Sequence, residues 1–492
     1  MVNKRQILLQ NDTARNIAVN CLFTWSGKGK WIQETLEEIF SSSMPDDRDR
    51  RLAQELALGT CRHLITLDYL IGKYSKRHFR KIDPIVLQIL RVGLYQLIYL
   101  ERTPDFAAVN EAVRQGQMIK IRGADTFING ILRTVQRDIE ALGVDYNTTQ
   151  LRSIIWTGKN LGCRFKRDIL PDPRKNPAKY YSQAYSHPPW LVERWLKQYG
   201  EDNVIDICQA DNTRPLLTLR VNRLRGEAED LLIRLTEAGF QARQIDKAIQ
   251  LSQPANPVDL PGFQEGLFSV QDFTAQSVAP MLVPVPGQRI LDLCGAPGGK
   301  TTHLAELMGD EGILVACDIN SEKLTLIQEN CRRLGLKSIQ TCLIDDKWEK
   351  DPEKLPENLS QLIKQDGQFD SILIDAPCSN TGVLARRVEA RYDLSPSAIQ
   401  DLARKQLALL QKGAGLTRKN GKVLYSTCSI DKRENELVIQ EFLKANPAYR
   451  LIEESLTLPC AQGAKAQIDK PDLEKLEYHD GGYAAILKKT EE

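Results

Sequence analysis

Leu291-Asp-Leu-Cys-Gly-Ala-Pro-Gly-Gly-Lys-Thr-Thr302 is the stretch from which the rest of the chain is read. The apolar run Arg289-Ile-Leu-Asp-Leu-Cys294 leads into a loop holding Gly295, Pro297, Gly298 and Gly299. Leu304, Leu307 and Met308 then recur at helical spacing. A strand, a glycine loop and a helix start make a nucleotide-binding turn, because glycine admits a ligand close to the backbone and free N–H groups at a helix start favour polar groups.

Two better-known glycine motifs do not match. A P-loop needs G-x-x-x-x-G-K-[ST], and its first glycine would fall on Cys294. The spacing G-x-G-x-x-G is absent as well. A second strand, Gly312-Ile-Leu-Val-Ala-Cys-Asp318, ends in an acid suited to ribose hydroxyls. Together these suit an adenosine cofactor without a phosphate chain: S-adenosylmethionine fits, and ATP fits poorly.

Further strands follow. Ser371-Ile-Leu-Ile-Asp-Ala-Pro-Cys-Ser379 ends in Asp375 and Cys378, and Gly421-Lys-Val-Leu-Tyr-Ser-Thr-Cys-Ser429 ends in Cys428. Ligands of parallel α/β sheets bind beyond the carboxyl ends of the strands, so these residues are expected on one rim. Thiols beside such a cofactor suggest methylation of carbon 5 of a pyrimidine. That carbon is a poor nucleophile until a thiolate adds to carbon 6, and an acid near ring N3 steadies the adduct. Asp375 is placed for the latter. Lys300 either adds positive charge or simply begins its helix, and the residues alone do not say whether Cys378 or Cys428 attacks. Cys294, Cys317, Cys331 and Cys342 read as core or wall residues.

The 492 residues are too many for one core and imply several domains. A net charge of +2 leaves any nucleic-acid surface to be local. The 11 cysteines contain no C-x-x-C pair, which argues against a zinc site, and their odd number suits a reducing compartment. The N-terminus lacks the apolar run of a signal peptide. Residues 85–100 are apolar but interrupted by Gln88, Arg91 and Gln96, so no membrane span is expected. Cytoplasmic location, no metal and a monomer are the expectations.

Residues 1–147 read as an all-helical domain, with Ala14, Ala18, Cys21 and Leu22 on one face and Asp83-Pro84 opening an apolar helix. Residues 148–180 read as a basic linker: Arg152, Lys159, Arg164, Lys166, Arg167, Arg174, Lys175 and Lys179 face only Asp168 and Asp172. It is either a solvated linker or a strap over an RNA backbone. Residues 181–286 read as a small α+β domain. There, Arg220 and Asn222 would meet RNA or solvent. Residues 287–492 read as an α/β doubly wound, Rossmann-like catalytic domain, with Tyr483–Lys488 as its edge strand.

Four stretches of the helical region resemble a NusB-like RNA-binding domain: Ala14-Arg-Asn-Ile-Ala18, Ile89-Leu-Arg-Val-Gly-Leu-Tyr-Gln-Leu97, Ala108-Val-Asn-Glu-Ala-Val113 and Phe127-Ile-Asn-Gly-Ile-Leu-Arg133. Without that likeness, Asn110, Glu111 and Asn129 read as helix caps or satisfied polar groups. With residues 287–429, the whole chain resembles the bacterial 16S rRNA (cytosine-5)-methyltransferase RsmB (Sun/Fmu) family. The resemblance implies that Cys294, Gly295, Ala296, Pro297, Gly298, Gly299 and Lys300 form the S-adenosylmethionine motif. It implies Asp318 at the ribose, Asp345 near the adenine and Asp375 beside cofactor and base. It makes Cys428 the nucleophile, gives Cys378 a part in product release, and implies 16S rRNA or a small-subunit assembly intermediate as partner.

Two stretches depart from the family pattern: Asp480-Gly-Gly-Tyr483, where two aromatics usually follow, and Asp346-Lys-Trp-Glu, with residues 350–368 reading as an insertion. Two rival functions stand beside the enzyme. An antitermination-like or ribosome-assembly RNA-binding protein would need no thiols at the rim. A nucleotide hydrolase built on Lys300-Thr301 lacks its first P-loop glycine.

Overall fold

The computed structural model describes residues 9–10, 13–26, 31–100, 104–146, 151–345, 356–461 and 478–490. Asp346-Lys-Trp-Glu and the first part of the expected insertion lie outside the described residues. The chain divides into two compact units, Met1–Thr213 with Arg387–Tyr392, and Arg214–Arg386 with Asp393–Glu492.

The first unit opens with seven helices, Ala14–Trp25, Ile32–Ser43, Asp47–Arg62, Leu64–Tyr74, Pro84–Tyr99, Asp105–Met118 and Ala124–Asp138. Local chemistry starts several of them. Thr13, Asp46 and Asp83 accept hydrogen bonds from backbone N–H groups of their own first turns, and Pro84 occupies a position whose N–H would have no helical partner. Pro84–Tyr99 is buried around most of its circumference. Two of its polar members hold acids: Arg91 grips Asp68 through two bonds of 2.7 and 2.6 Å, and the Tyr95 hydroxyl donates to Glu55 at 2.7 Å. Gly59 is required where Tyr95 packs, since a Cβ there would run into the ring.

The all-helical expectation stops short. Ile139–Asp145, Leu161–Phe165 and Ile154–Gly158 form an antiparallel sheet in that order, so much of the expected basic linker is a hairpin. Its two-residue turn, Lys159-Asn160, has both residues at positive φ (47° and 62°). That is the geometry of a type I′ turn, usually signalled by Asn-Gly. Four of the eight basic side chains are paired with acids: Arg152 with Asp168 (2.7 Å), Arg164 with Glu140 (2.9 Å), Arg167 with Asp138 (2.7 Å) and Arg174 with Asp172 (3.2 Å). Helices Pro177–Tyr185, Pro189–Tyr199 and Glu201–Asn212 complete the unit. Arg391, fully buried, ties the returning segment in by donating to the carbonyls of Arg62, Ser186 and Asp211 and to Asn212 Oδ1.

The second unit begins with an antiparallel sheet ordered Ala242–Ile245, Ala248–Leu251, Thr218–Val221, Phe268–Val270. Helix Ala228–Glu237 covers it through Leu231 and Leu235. Then comes a seven-stranded sheet: β1 (Arg289–Asp292), β2 (Ile313–Asp318), β3 (Ile339–Leu343), β4 (Phe369–Asp375), β5 (Thr417–Thr427), β6 (Tyr449–Thr457) and β7 (Gly482–Lys489). Its order is β3-β2-β1-β4-β5-β7-β6. Neighbours from β3 to β5 run parallel, and β7 is antiparallel to both β5 and β6.

Tyr483–Lys488 is therefore not an edge strand, contrary to expectation. Tyr483, Ala484, Ala485, Ile486 and Leu487 are all buried, as an unbroken apolar run requires of a strand covered on both faces. The edge position goes to β6, most of whose residues are exposed or partly so. Successive residues of the sheet feed two cores. Leu291, Ile372, Val423 and Leu487 pack with helix Pro396–Leu416, while Ile290, Leu373, Leu424 and Ile486 pack with helices Gly299–Leu307 and Ser321–Leu334. Among the described residues no helix is long and apolar enough to cross a membrane, and no cluster of His, Cys, Asp or Glu has the makings of a metal site.

Candidate active site

The carboxyl ends of β1, β2, β4 and β5 bring the predicted residues to one rim. The loop after β1 is drawn tight by its own backbone: Gly295 N–H donates to the Cys317 carbonyl (2.8 Å) and Gly298 N–H to the Gly295 carbonyl (2.7 Å). Gly298, at φ 103°, needs the freedom of glycine. Asp292, at the end of β1, is buried and accepts from Thr301 Oγ1 (2.7 Å) and the Cys294 N–H (3.4 Å). Burial pushes its carboxyl up to about 7, the Thr301 bond opposing and the Asp375 charge adding. Asp318 closes β2 half-buried, one oxygen taking the Asn320 N–H at 2.9 Å. Asp345 lies two residues past β3, exposed.

Lys300 reaches across to β4. Its Nζ lies 2.7 Å from Asp375 Oδ2, and the Ser426 hydroxyl donates to Asp375 Oδ1 at 2.9 Å. Burial alone would lower the Lys300 pKa, but the Asp375 carboxylate outweighs it and the net shift is upward.

The Cys378 and Cys428 sulfurs lie 2.9 Å apart, both as free thiols, with Asn380 Oδ1 at 3.2 Å from Cys428 Sγ. The neighbouring Cys428, then burial and the Glu434 charge, hold the Cys378 thiol well above its usual range. Cys317, Cys331 and Cys342 are buried, in keeping with core roles, and Cys294 is half-buried. A cleft opens beside the pair, lined in part by Thr274, Lys300, Val383, Cys428, Asp480 and Gly482.

Several residues that hold this rim carry no signal in the sequence. The loops after β4 and before β7 are stitched to Cys428, with Gly382 N–H donating to the Cys428 carbonyl (2.9 Å) and Gly481 N–H to the Gly382 carbonyl (2.7 Å). A Cβ on Gly382 would sit 2.6 Å from the Gly481 oxygen, so the close approach demands glycine. Arg386 bridges Asp480 (2.6 Å) and Asp272 (3.0 Å), which explains the buried aspartate of the atypical Asp480-Gly-Gly-Tyr483. Arg220, expected at RNA or solvent, is instead buried. It donates to Glu306 (2.7 Å), the Gly299 carbonyl (2.6 Å) and Thr302 (3.0 Å), with Gln271 also in contact. Asn222 is likewise buried, on the carbonyls of Gly266 and Leu334. Only packing in three dimensions reveals these partners.

The doubly wound sheet, the glycine loop and the thiol pair define a methyltransferase of the S-adenosylmethionine-dependent class. Residues 279–488 match the family model of the 16S rRNA methyltransferase RsmB/F, residues 12–137 that of the NusB family, and residues 187–259 that of the RsmF/B-like ferredoxin-like domain. The probable ribosomal RNA small subunit methyltransferase B of Bacillus subtilis is 33% identical over 90% of each chain. The ribosomal RNA small subunit methyltransferase B of Shigella sonnei is 35% identical over 90% of this chain and 91% of its own. Among solved structures, a methyltransferase homologue from Pyrococcus horikoshii aligns with a TM-score of 0.51 at 25% identity, covering 65% of this chain and all of that one. The chain belongs to the 16S rRNA methyltransferase RsmB/F family, and its cofactor is S-adenosylmethionine.

Proposed function

We propose that the protein methylates carbon 5 of a cytosine in 16S rRNA through a covalent adduct on Cys428. The relatives' names point to small-subunit ribosomal RNA as substrate. The observation that carries the chemistry is the thiol pair at 2.9 Å on the same rim as the Lys300–Asp375 pair.

The cofactor fits the crevice made by the tight loop Cys294, Gly295, Ala296, Pro297, Gly298, Gly299 and Lys300, with Asp318 for the ribose hydroxyls and Asp345 for the adenine side. When bound, S-adenosylmethionine supplies an electrophilic methyl group. Cys428, which lines the cleft, adds as a thiolate to carbon 6 of the cytosine while ring N3 takes a proton from the carboxyl of Asp375, which Lys300 and Ser426 hold in place. Carbon 5, now part of an enamine, takes the methyl group. A base then takes the carbon-5 proton, the C5=C6 double bond re-forms, and the Cys428 thiolate is expelled. Cys378, whose sulfur lies 2.9 Å from that of Cys428, is assigned to release of the methylated product.

The test uses S-adenosylmethionine with a labelled methyl group and 16S rRNA from a strain lacking the modification. Label in 5-methylcytidine after digestion supports the reading. No label in free rRNA or in small-subunit precursor particles overturns it in favour of an RNA-binding assembly factor.

A further inference from the structure

One buried carboxylate lies behind both cysteines. Glu434 has no solvent exposure, and four donors converge on its side chain. Its Oε1 accepts the Ser379 N–H (2.9 Å) and Gln406 Nε2 (3.0 Å), and its Oε2 accepts the Ser429 hydroxyl (2.6 Å) and the Ser379 hydroxyl. Ser379 directly follows Cys378, and Ser429 directly follows Cys428. The two hydroxyls are also 3.2 Å from each other, and Thr381 reaches Ser429 at 2.9 Å. Gln406, on helix Pro396–Leu416, further donates to the Pro377 carbonyl at 2.9 Å.

Burying a carboxylate is costly unless its lone pairs are fully used, and packing alone would be served as well by an apolar side chain. Here the lone pairs are used on the residue after each thiol. Burial raises the Glu434 pKa while the bonds from Ser379, Ser429 and Gln406 lower it.

We propose that Glu434 is a positioning residue that clamps the two cysteine loops together and so sets the distance between the Cys378 and Cys428 sulfurs. The proposal rests on the methyl-transfer reading above. Glu434 touches neither substrate nor cofactor. It acts through the serines, holding the attacking and releasing thiols within reach of one base.

Two readouts on the full chain test this. The first is diamide oxidation without RNA: the two thiols give up two electrons and two protons to diamide, which becomes its hydrazine, and a Cys378–Cys428 disulfide forms. Peptide mapping follows its rate. The second separates kcat from the KM for S-adenosylmethionine. In Glu434→Gln the amide places a donor against donors. The expected result is disulfide formation slowed about tenfold or more and kcat down by about 10- to 100-fold, the scale of a thiol misplaced by an ångström, with the cofactor KM within about threefold of wild type. Wild-type disulfide and kcat rates in this variant overturn the proposal, as does a matched loss of kcat and cofactor binding. If Glu434→Gln does not fold, Ser429→Ala, which removes one arm of the clamp, decides the matter through the same two rates. Should the wild-type protein methylate no RNA, the function reading fails while the disulfide rate still decides the clamp.

Discussion

Replacing Arg220 with alanine removes the cation that joins the small antiparallel sheet to the start of the helix behind the glycine loop. Arg220 and Glu306 side chains are 4% and 1% exposed, and their oxygen–nitrogen distance is 2.7 Å. Deleting one member of such a pair leaves the other buried and uncompensated, which costs about 3–5 kcal/mol. Glu306 already has its carboxyl pushed up by burial, with Arg220 pulling it back down. The Gly299 carbonyl and the Thr302 hydroxyl lose a donor as well. At about 2–4 °C per kcal/mol, the unit containing Arg220 should melt roughly 10 °C lower. Calorimetry of Arg220→Ala, Glu306→Ala and the double variant gives the coupling directly. A coupling above about 2 kcal/mol is expected, and the apolar pair Arg220→Met with Glu306→Met should recover most of the loss. Single-variant losses below about 1 kcal/mol that simply add would refute the reasoning.

Other outcomes follow from burial and close contact. Asp292 is raised to about 7 in the folded state. A raised carboxyl contributes stability below its unfolded pKa and loses it as pH climbs through the folded value, so Asp292→Asn should gain on wild type by about 3 kcal/mol between pH 5 and pH 8. Urea unfolding at both pH values checks the sign; a gain in the opposite direction contradicts it. Gly59→Ala should destabilise the first unit by about 1–3 kcal/mol because the new Cβ meets the Tyr95 ring. Gly72→Ala, with nothing within 4 Å, should stabilise the same unit by up to about 1 kcal/mol. Thermal melts of the pair separate overpacking from helix propensity.

What was legible in the sequence was local. The glycine loop, Asp375 and both cysteines sit at strand ends whose apolar runs are short and unambiguous, and parallel topology alone carries strand ends to one rim. The hairpin over residues 154–165 was hidden because Lys159-Asn160 carries its positive φ values without a glycine. The place of β7 was hidden because a last strand inserted between two earlier ones leaves no mark in its own residues beyond unbroken burial. Arg220, Arg386 and Glu434 are charged residues whose types alone suggest a surface. Each is held by partners that lie far away in the sequence or, for Glu434, on loops brought together only by the sheet.

The central claim is that Cys428 forms the adduct and Cys378 releases it. The most direct test incubates the Cys378→Ala and Cys428→Ala proteins with S-adenosylmethionine and 16S rRNA and resolves the products under denaturing conditions. The expected result is a protein–RNA adduct with Cys378→Ala and neither adduct nor methylation with Cys428→Ala. An adduct formed by Cys428→Ala and absent from Cys378→Ala would reverse the two roles and contradict the claim.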